Sequence, residues 1–164
     1  MNVQAYRHIK NFEQIITSPS GEVSSRTIEY KLPERATSES AGIDLQSPIA
    51  FTLDPGKRTV VDTGIVAKAP RNFCFLLLPR SGLAAKHGVT IMNSPGLIDR
   101  DFCGSGDTLK VILVNHGEES VEFKAGDRIA QLMLTAVTQI DWVDMPEASF
   151  AKDGNRGGLG STGL

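Results

Sequence analysis

The sequence is poor in the features that most readily assign a chain to a class. Its 164 residues include two cysteines, one tryptophan and only 6% aromatic residues. Two thiols cannot build the disulfide framework of a small secreted scaffold, and no CxxC pair or His-rich cluster suggests zinc. Cys74 and Cys103 are therefore expected as free thiols, with Cys74 a small core residue inside an apolar run. An excess of charge is also missing, with 17 basic residues against 19 acidic ones. A dedicated nucleic-acid binder would carry a basic face, so no nucleic-acid partner is expected. The longest apolar runs, 73–79 and 129–137, are too short for a membrane-spanning helix, and MNVQAYRHIKNFEQ at the start has no apolar signal core. The expected setting is cytoplasmic, without a membrane partner. A GxxxxGK[ST] motif is absent, which excludes a P-loop.

What the chain does have is punctuation. Sixteen glycines and eight prolines separate short runs rich in Val, Ile, Leu, Phe and Thr. The runs fall at 27–31, 43–45, 58–61, 65–68, 73–78, 89–92, 109–114, 121–123 and 128–137. Turn signals lie between them, such as Asp54-Pro55-Gly56, Asn115-His116-Gly117 and Ala125-Gly126-Asp127. This spacing predicts an all-β sandwich or barrel, and the length is that of one domain. One segment departs from the pattern: residues 81–87 followed by Gly88 predict a short helix with a Ser81 N-cap and a glycine stop. Residues 1–26 are polar and weakly patterned, and read as an extra arm or partly ordered extension ahead of a domain spanning 27–150. Residues 151–164 are too rich in glycine to form a stable element alone.

Three constellations could carry chemistry. In the tail, Gly157, Gly158 and Gly160 beside Arg156, Ser161 and Thr162 offer backbone amides, a cation and two hydroxyls, the parts of a phosphate cradle. A flexible Gly-Ser tail is the plainer alternative. In Pro79-Arg80-Ser81-Gly82, a strand gives way to the short helix, whose first amides favour an anion beside the Arg80 charge and Ser81 hydroxyl. A capped helix with a surface arginine would look the same. The third runs from Asn93 to Phe102. Its Pro95-Gly96 turn reads as a hairpin that holds Asn93 and Asp99 near each other. Asparagine can read a nucleobase edge, and an aspartate near phosphates can deprotonate a water. An ordinary β-turn is the alternative here.

Taken in order, these segments resemble the deoxyuridine triphosphatase family, which carries five motifs in fixed sequence. They are Ala41-Gly42-Ile43-Asp44-Leu45, Pro79-Arg80-Ser81-Gly82-Leu83-Ala84, the stretch from Asn93 through Gly96-Leu97-Ile98-Asp99 to Phe102-Cys103-Gly104, Gly126-Asp127-Arg128-Ile129-Ala130-Gln131-Leu132, and Arg156-Gly157-Gly158-Leu159-Gly160-Ser161-Thr162-Gly163. With Leu32-Pro33, Ala36-Thr37 and Asp62-Thr63-Gly64, the resemblance runs from about residue 30 to the end. It implies a distorted jelly-roll subunit in a homotrimer, with each site assembled from three chains. It also implies hydrolysis of dUTP to dUMP and pyrophosphate, limiting uracil in DNA and supplying dUMP for thymidylate synthesis.

Position by position, Asp99 would activate the water, Asn93, Gly96 and Ile98 would receive uracil, and Phe102 would pack on deoxyribose. Arg80, Ser81, Gly82 and Gln131 would hold the phosphates, and Asp44 would support the site. Arg156, Leu159, Gly160, Ser161 and Thr162 would close over a neighbouring subunit's site. Mg²⁺ would be held through phosphates and water, with no direct protein ligand. His8, His87 and His116 would be bystanders. The sequence departs from the family at Phe102, where tyrosine is usual, and at Leu159, where phenylalanine is usual. The tail is about two residues shorter between Arg156 and Leu159, and about three residues are added at Ser105–Asp107. Three other readings compete, one of them a structural capsid-type jelly roll, which would explain the strands but none of the ordered polar motifs. A deoxycytidine triphosphate deaminase needs a glutamate in the strand after the third motif, and 109–115 has no carboxylate. A non-catalytic nucleotide-binding regulator on the same fold would have no evident use for Asp99.

Overall fold

Short β-branched and aromatic runs between glycine and proline turns favour strands. A computed structural model shows strands along nearly the whole of the chain it describes, which is residues 3–17, 21–146 and 149. They are β1 (Gln4–Arg7), β2 (Asn11–Thr17), β3 (Val23–Glu29), β4 (Gly42–Gln46), β5 (Phe51–Leu53), β6 (Arg58–Asp62), β7 (Ile65–Lys68), β8 (Phe73–Leu78), β9 (Val89–Ile91), β10 (Gly96–Ile98), β11 (Lys110–Asn115), β12 (Val121–Phe123) and β13 (Arg128–Ala136). The helix α1 (Ser81–His87) lies between β8 and β9. Among the described residues, no helix is long and apolar enough to cross a membrane.

The strands form a four-stranded sheet ordered β10-β8-β13-β4, a three-stranded sheet ordered β6-β11-β9, and the pairs β1-β7, β12-β5 and β2-β3. Partners far apart in sequence are the rule, as in β13 beside β4 and β12 beside β5. The chain thus steps between sheets as a jelly roll does. One cluster fills the interior, with Leu45, Phe75, Leu77 and Ile129 from the larger sheet meeting Val61, Ile91, Val111 and Leu113 from the smaller. Among the described residues the buried polar side chains are paired: Asn115 donates to the carbonyls of Leu53 (2.9 Å) and Glu119 (2.8 Å), and Thr63 to that of Leu109 (2.8 Å). Both cysteines are free thiols, Cys74 buried as expected.

Two local expectations change, and a third segment gains detail. Asn93 and Asp99 do not flank a hairpin, because β9 pairs with β11 while β10 pairs with β8. The turn between them carries the chain from one sheet to the other and includes a cis Ser94-Pro95 bond. Ser81 is not the N-cap of α1. Arg80 holds that position with no side-chain cap bond, and Ser81 is the first helical residue. Gly88 does stop the helix in the left-handed region at φ 66°, where a side chain would also collide with the backbone of Gly117. Finally, the weakly patterned first 26 residues contribute β1, β2 and half of β3. β1 adds to the edge of β7 with Gln4 opposite Lys68 and Arg7 opposite Ile65.

Tyr30, at the end of this arm, is fully buried and its hydroxyl donates to the Gln46 carbonyl at 3.0 Å. Burial, and then the negative charge of Asp62, push its phenol up to about 12. An unfolded tyrosine ionises near pH 10, so between these values the unfolded chain sheds a proton that the folded chain keeps. Stability is therefore whole below pH 10 and falls as pH rises to 12, by about 2–3 kcal/mol. Urea unfolding at pH 9 and pH 11.5 should show this loss in the wild type and a clearly smaller one in Tyr30→Phe.

Candidate functional site

Two groups of side chains occupy the ends of the larger sheet. The first surrounds a cavity of about 230 Å³ whose lining includes Asn93, Gly96, Leu97, Ile98, Asp99 and Phe102. β10 places most of these. It pairs Gly96 with Leu77 and Ile98 with Phe75, which seats the floor of the cavity on β8. Gly96 is in tight quarters, since a Cβ there would lie 3.2 Å from Leu77 Cβ and 3.3 Å from Asn93 Nδ2. A side chain at this point would push Asn93 aside. Asp99 stands exposed at the rim, and among the described residues its carboxylate forms no hydrogen bond or ion pair. The Phe102 ring, 41% exposed, closes one wall.

Two further residues line this cavity that the sequence reading passed over, Thr108 and Lys110. Lys110 opens β11 opposite Asp62. The ammonium reaches Thr108 Oγ1 at 3.2 Å and Asp62 Oδ2 at 3.9 Å, and the Thr108 hydroxyl donates to the same Asp62 oxygen at 2.8 Å. The signal was available: Lys110 is a charged residue at the exposed start of a strand whose next four residues, Val111 to Val114, are apolar.

The second group centres on Asp44. On β4 it faces Gln131 of β13, which in turn faces Leu78 of β8. Arg80 donates its Nε to Asp44 Oδ1 at 2.8 Å and its Nη1 to the Arg128 carbonyl at 3.2 Å, while Arg128 Nη1 reaches Asp44 Oδ2 at 3.3 Å. Two guanidinium groups on one carboxylate leave a net positive charge, and neither Arg80 bond uses Nη2, so an anion can still be met there. Gln131 donates Nε2 to the Pro79 carbonyl at 3.1 Å, bracing the strand end from which Arg80 projects. At Gly82 an added Cβ would meet nothing within 4 Å, so the chain's own packing does not require glycine there. Arg128 was not singled out from sequence because it reads as the ordinary polar start of a strand.

Arg80 and Arg128 line a different cavity of about 430 Å³, with His87 and Asp127. That lining includes neither Asp99 nor Asn93, and the lining of the first cavity includes neither arginine. The structure thus brings Asn93, Gly96, Ile98, Asp99 and Phe102 together, and separately Asp44, Arg80 and Gln131, with Ser81 and Gly82 beside Arg80 at the start of α1. Arg156, Leu159, Gly160, Ser161 and Thr162 lie outside the described residues. His8, expected to stand apart, contacts the Ser105 carbonyl in the loop that follows Phe102.

Fold and site together define a class: an all-β jelly roll with a small cavity on one strand end and a guanidinium–carboxylate group on another. The comparisons make this specific. The dUTPase family model matches residues 29–163. A deoxyuridine 5'-triphosphate nucleotidohydrolase of Wolbachia pipientis wMel is 44% identical over 138 residues, covering 82% of this chain and 88% of its own. The protein of the same name from Rhizobium rhizogenes is 43% identical over 137 residues, with 81% and 85% covered. In fold the chain is similar to a Staphylococcus bacteriophage 80alpha dUTPase solved with dUPNHPP, at 20% identity, a TM-score of 0.72 and 99% coverage of both chains. The chain belongs to the dUTPase family.

Proposed function

We propose that this protein hydrolyses dUTP to dUMP and pyrophosphate through attack of an Asp99-activated water on the α-phosphorus. The observation that carries this reading is the shared cavity of Asn93, Gly96, Ile98, Asp99 and Phe102. An amide able to read a base edge, an aromatic wall and an exposed carboxylate face one space. Asp99 takes the proton as the water oxygen bonds to phosphorus, and the bond from the α-phosphorus to its bridging oxygen breaks to release pyrophosphate. Asn93 and the backbone at Gly96 and Ile98 receive uracil. The Phe102 ring lies against deoxyribose and crowds a 2′-hydroxyl, a task that needs no phenol oxygen.

The volume of this cavity argues that it is only part of the site. Pockets for drug-sized ligands span roughly 300–1,000 Å³, so about 230 Å³ suits a base and sugar without the triphosphate. Arg80, Ser81, Gly82 and Gln131 are the phosphate holders, supported by Asp44, and they come from a second copy of the chain. A homotrimer supplies that copy. An exposed apolar stretch after β13, with Trp142 92% exposed beside Ile140 and Val143, has the character of a surface made for another subunit. The tail bearing Arg156, Leu159, Gly160, Ser161 and Thr162 closes over a neighbour's site. Mg²⁺ fits the donor chemistry as a substrate-borne ion. Among the described residues, no three His, Cys, Asp or Glu side chains gather to hold a metal, and Mg²⁺ characteristically binds substrate phosphates while keeping its waters. Bound there, it would supply positive charge to offset the negative charge of the departing pyrophosphate. The setting is cytoplasmic, where deoxynucleotides are made.

Steady-state pyrophosphate release with Mg²⁺ tests the proposal. dUTP should be cleaved roughly 10²-fold or more faster, in kcat/KM, than dTTP, dCTP or UTP. Binding of dUTP without cleavage would replace the enzyme with a nucleotide-binding regulator.

A further inference from the structure

The loop after Phe102 is loose by composition. Gly104 and Gly106 lie within five residues, and a Cβ at Gly106 would touch nothing within 4 Å. Yet this loop connects Phe102 to Thr108 and Lys110, all three of which line the cavity beside Asp99. One side of it is pinned internally. Gly104 N–H donates to Asp107 Oδ2 at 2.7 Å, Asp107 N–H to the Gly104 carbonyl at 3.0 Å, and the Thr108 hydroxyl to Asp62.

The other side is held by the N-terminal arm. That arm lies before residue 29, where the family match begins. β1 is registered on β7, the His8 N–H donates to the Gly64 carbonyl at 2.7 Å, and Ile9 packs so closely over Gly64 that a Cβ there would come within 2.8 Å of it. From this fixed base the His8 ring donates through Nε2 to the Ser105 carbonyl. The Tyr6 ring meets the His8 ring edge-on at 5.2 Å, and the Tyr6 hydroxyl points to the Gly104 carbonyl at 3.5 Å. A carbonyl only accepts, so the proton sits on Nε2.

We propose that His8 is a positioning residue: from an arm outside the family region, it holds the Gly104–Asp107 loop so that Phe102 stands against the sugar. The consequence for sugar selection rests on the proposed dUTPase reading, whereas the clamp itself does not. A loop with two glycines samples many conformations unless it is tied from outside. The glycine-bearing loop needs a tether, and His8 provides it.

The test uses the full chain with His8→Ala and His8→Gln, the second retaining a side-chain N–H able to reach the same carbonyl. Two quantities are read: hydrogen exchange of the amides of residues 102–108, and the ratio of kcat/KM for dUTP over UTP. In His8→Ala, exchange should rise and the dUTP preference should fall, each roughly three- to tenfold, the measure of one lost hydrogen bond. His8→Gln should restore both. The proposal is overturned if His8→Ala changes neither quantity, if exchange rises while the ratio stays, or if His8→Gln behaves like His8→Ala. A wild type that cleaves no dUTP would defeat the proposed function alone, and loop exchange would then decide the clamp.

Discussion

Asp99→Asn is expected to lower kcat for dUTP about 10³-fold, within the range of 10²–10⁴ typical of a lost general base, while KM changes little. The structure isolates the chemical effect unusually well. The Asp99 carboxylate is exposed at the cavity rim and, among the described residues, bonds to no other side chain. Asparagine keeps its shape, so neither packing nor an ion pair is lost, and stability should stay within about 0.5 kcal/mol of wild type. What goes is the ability to accept a proton from water, and with it a step made only in the transition state. Asp101 provides the control. It lies two residues away and borders, with Asp99, Asn72 and Gln139, a neighbouring cavity, but it does not line the one shared by Asn93, Asp99 and Phe102. Asp101→Asn should retain activity within a few-fold. Single-turnover pyrophosphate release from both variants makes the comparison. Equal rates for Asp99→Asn and wild type would remove Asp99 from the chemistry.

How much of this was legible beforehand depended on what each segment buries. β7, β8, β11 and β13 announce themselves because their apolar residues fill the core, and their ends were placed to within a residue or so. β10 was hidden, since three residues beginning with Gly96 look like the turn that precedes them. β1, β2 and the first half of β3, ahead of the run expected at 27–31, were hidden for a different reason. β3 exposes nearly every side chain, so it is held as a strand by backbone pairing to β2 rather than by an apolar face. Pairing of that kind leaves no period in the sequence. The hairpin expected around Pro95 failed because a turn signal reports that the chain reverses, not which sheet each arm joins.

The site divides along the same line. Asn93, Gly96, Asp99 and Phe102 fall within ten residues, so their meeting could be read from spacing. Asp44, Arg80 and Gln131 are drawn from three strands or strand ends that only the β4-β13-β8 order makes neighbours. Their joint role came from the family resemblance, and Arg128 and Lys110 were missed because each looked like a solvated strand start. His8 reads from sequence as a bystander because the implied hydrolysis needs no histidine. Its partner lies 97 residues away, across the β1–β7 edge.

Because Asp99 and Arg80 line separate cavities of one chain, two inactive variants should rescue each other when mixed. Arg80→Ala removes the guanidinium that spans Asp44 and the Arg128 carbonyl, and with it the main cation proposed to meet the phosphates. Asp44 keeps Arg128 as a partner at 3.3 Å, and both are partly exposed, so the fold should lose about 1 kcal/mol or less. The variant alone should be slowed at least 10²-fold, as for other lost charge-stabilising donors. If Asp99 of one copy works with Arg80 of the next, randomly mixed trimers of Asp99→Asn and Arg80→Ala chains contain intact sites. Each site needs an Arg80→Ala chain to supply Asp99 and an Asp99→Asn chain to supply Arg80, which occurs in about one site in four in a closed ring of three. Co-refolding the two at equal concentration should therefore return about a quarter of wild-type activity, while mixing the already folded proteins returns far less until subunits exchange. A site contained within one chain predicts no recovery at any ratio. A two-fold dimer with shared sites would return the same quarter, so sedimentation of the active fraction is what separates it from a trimer.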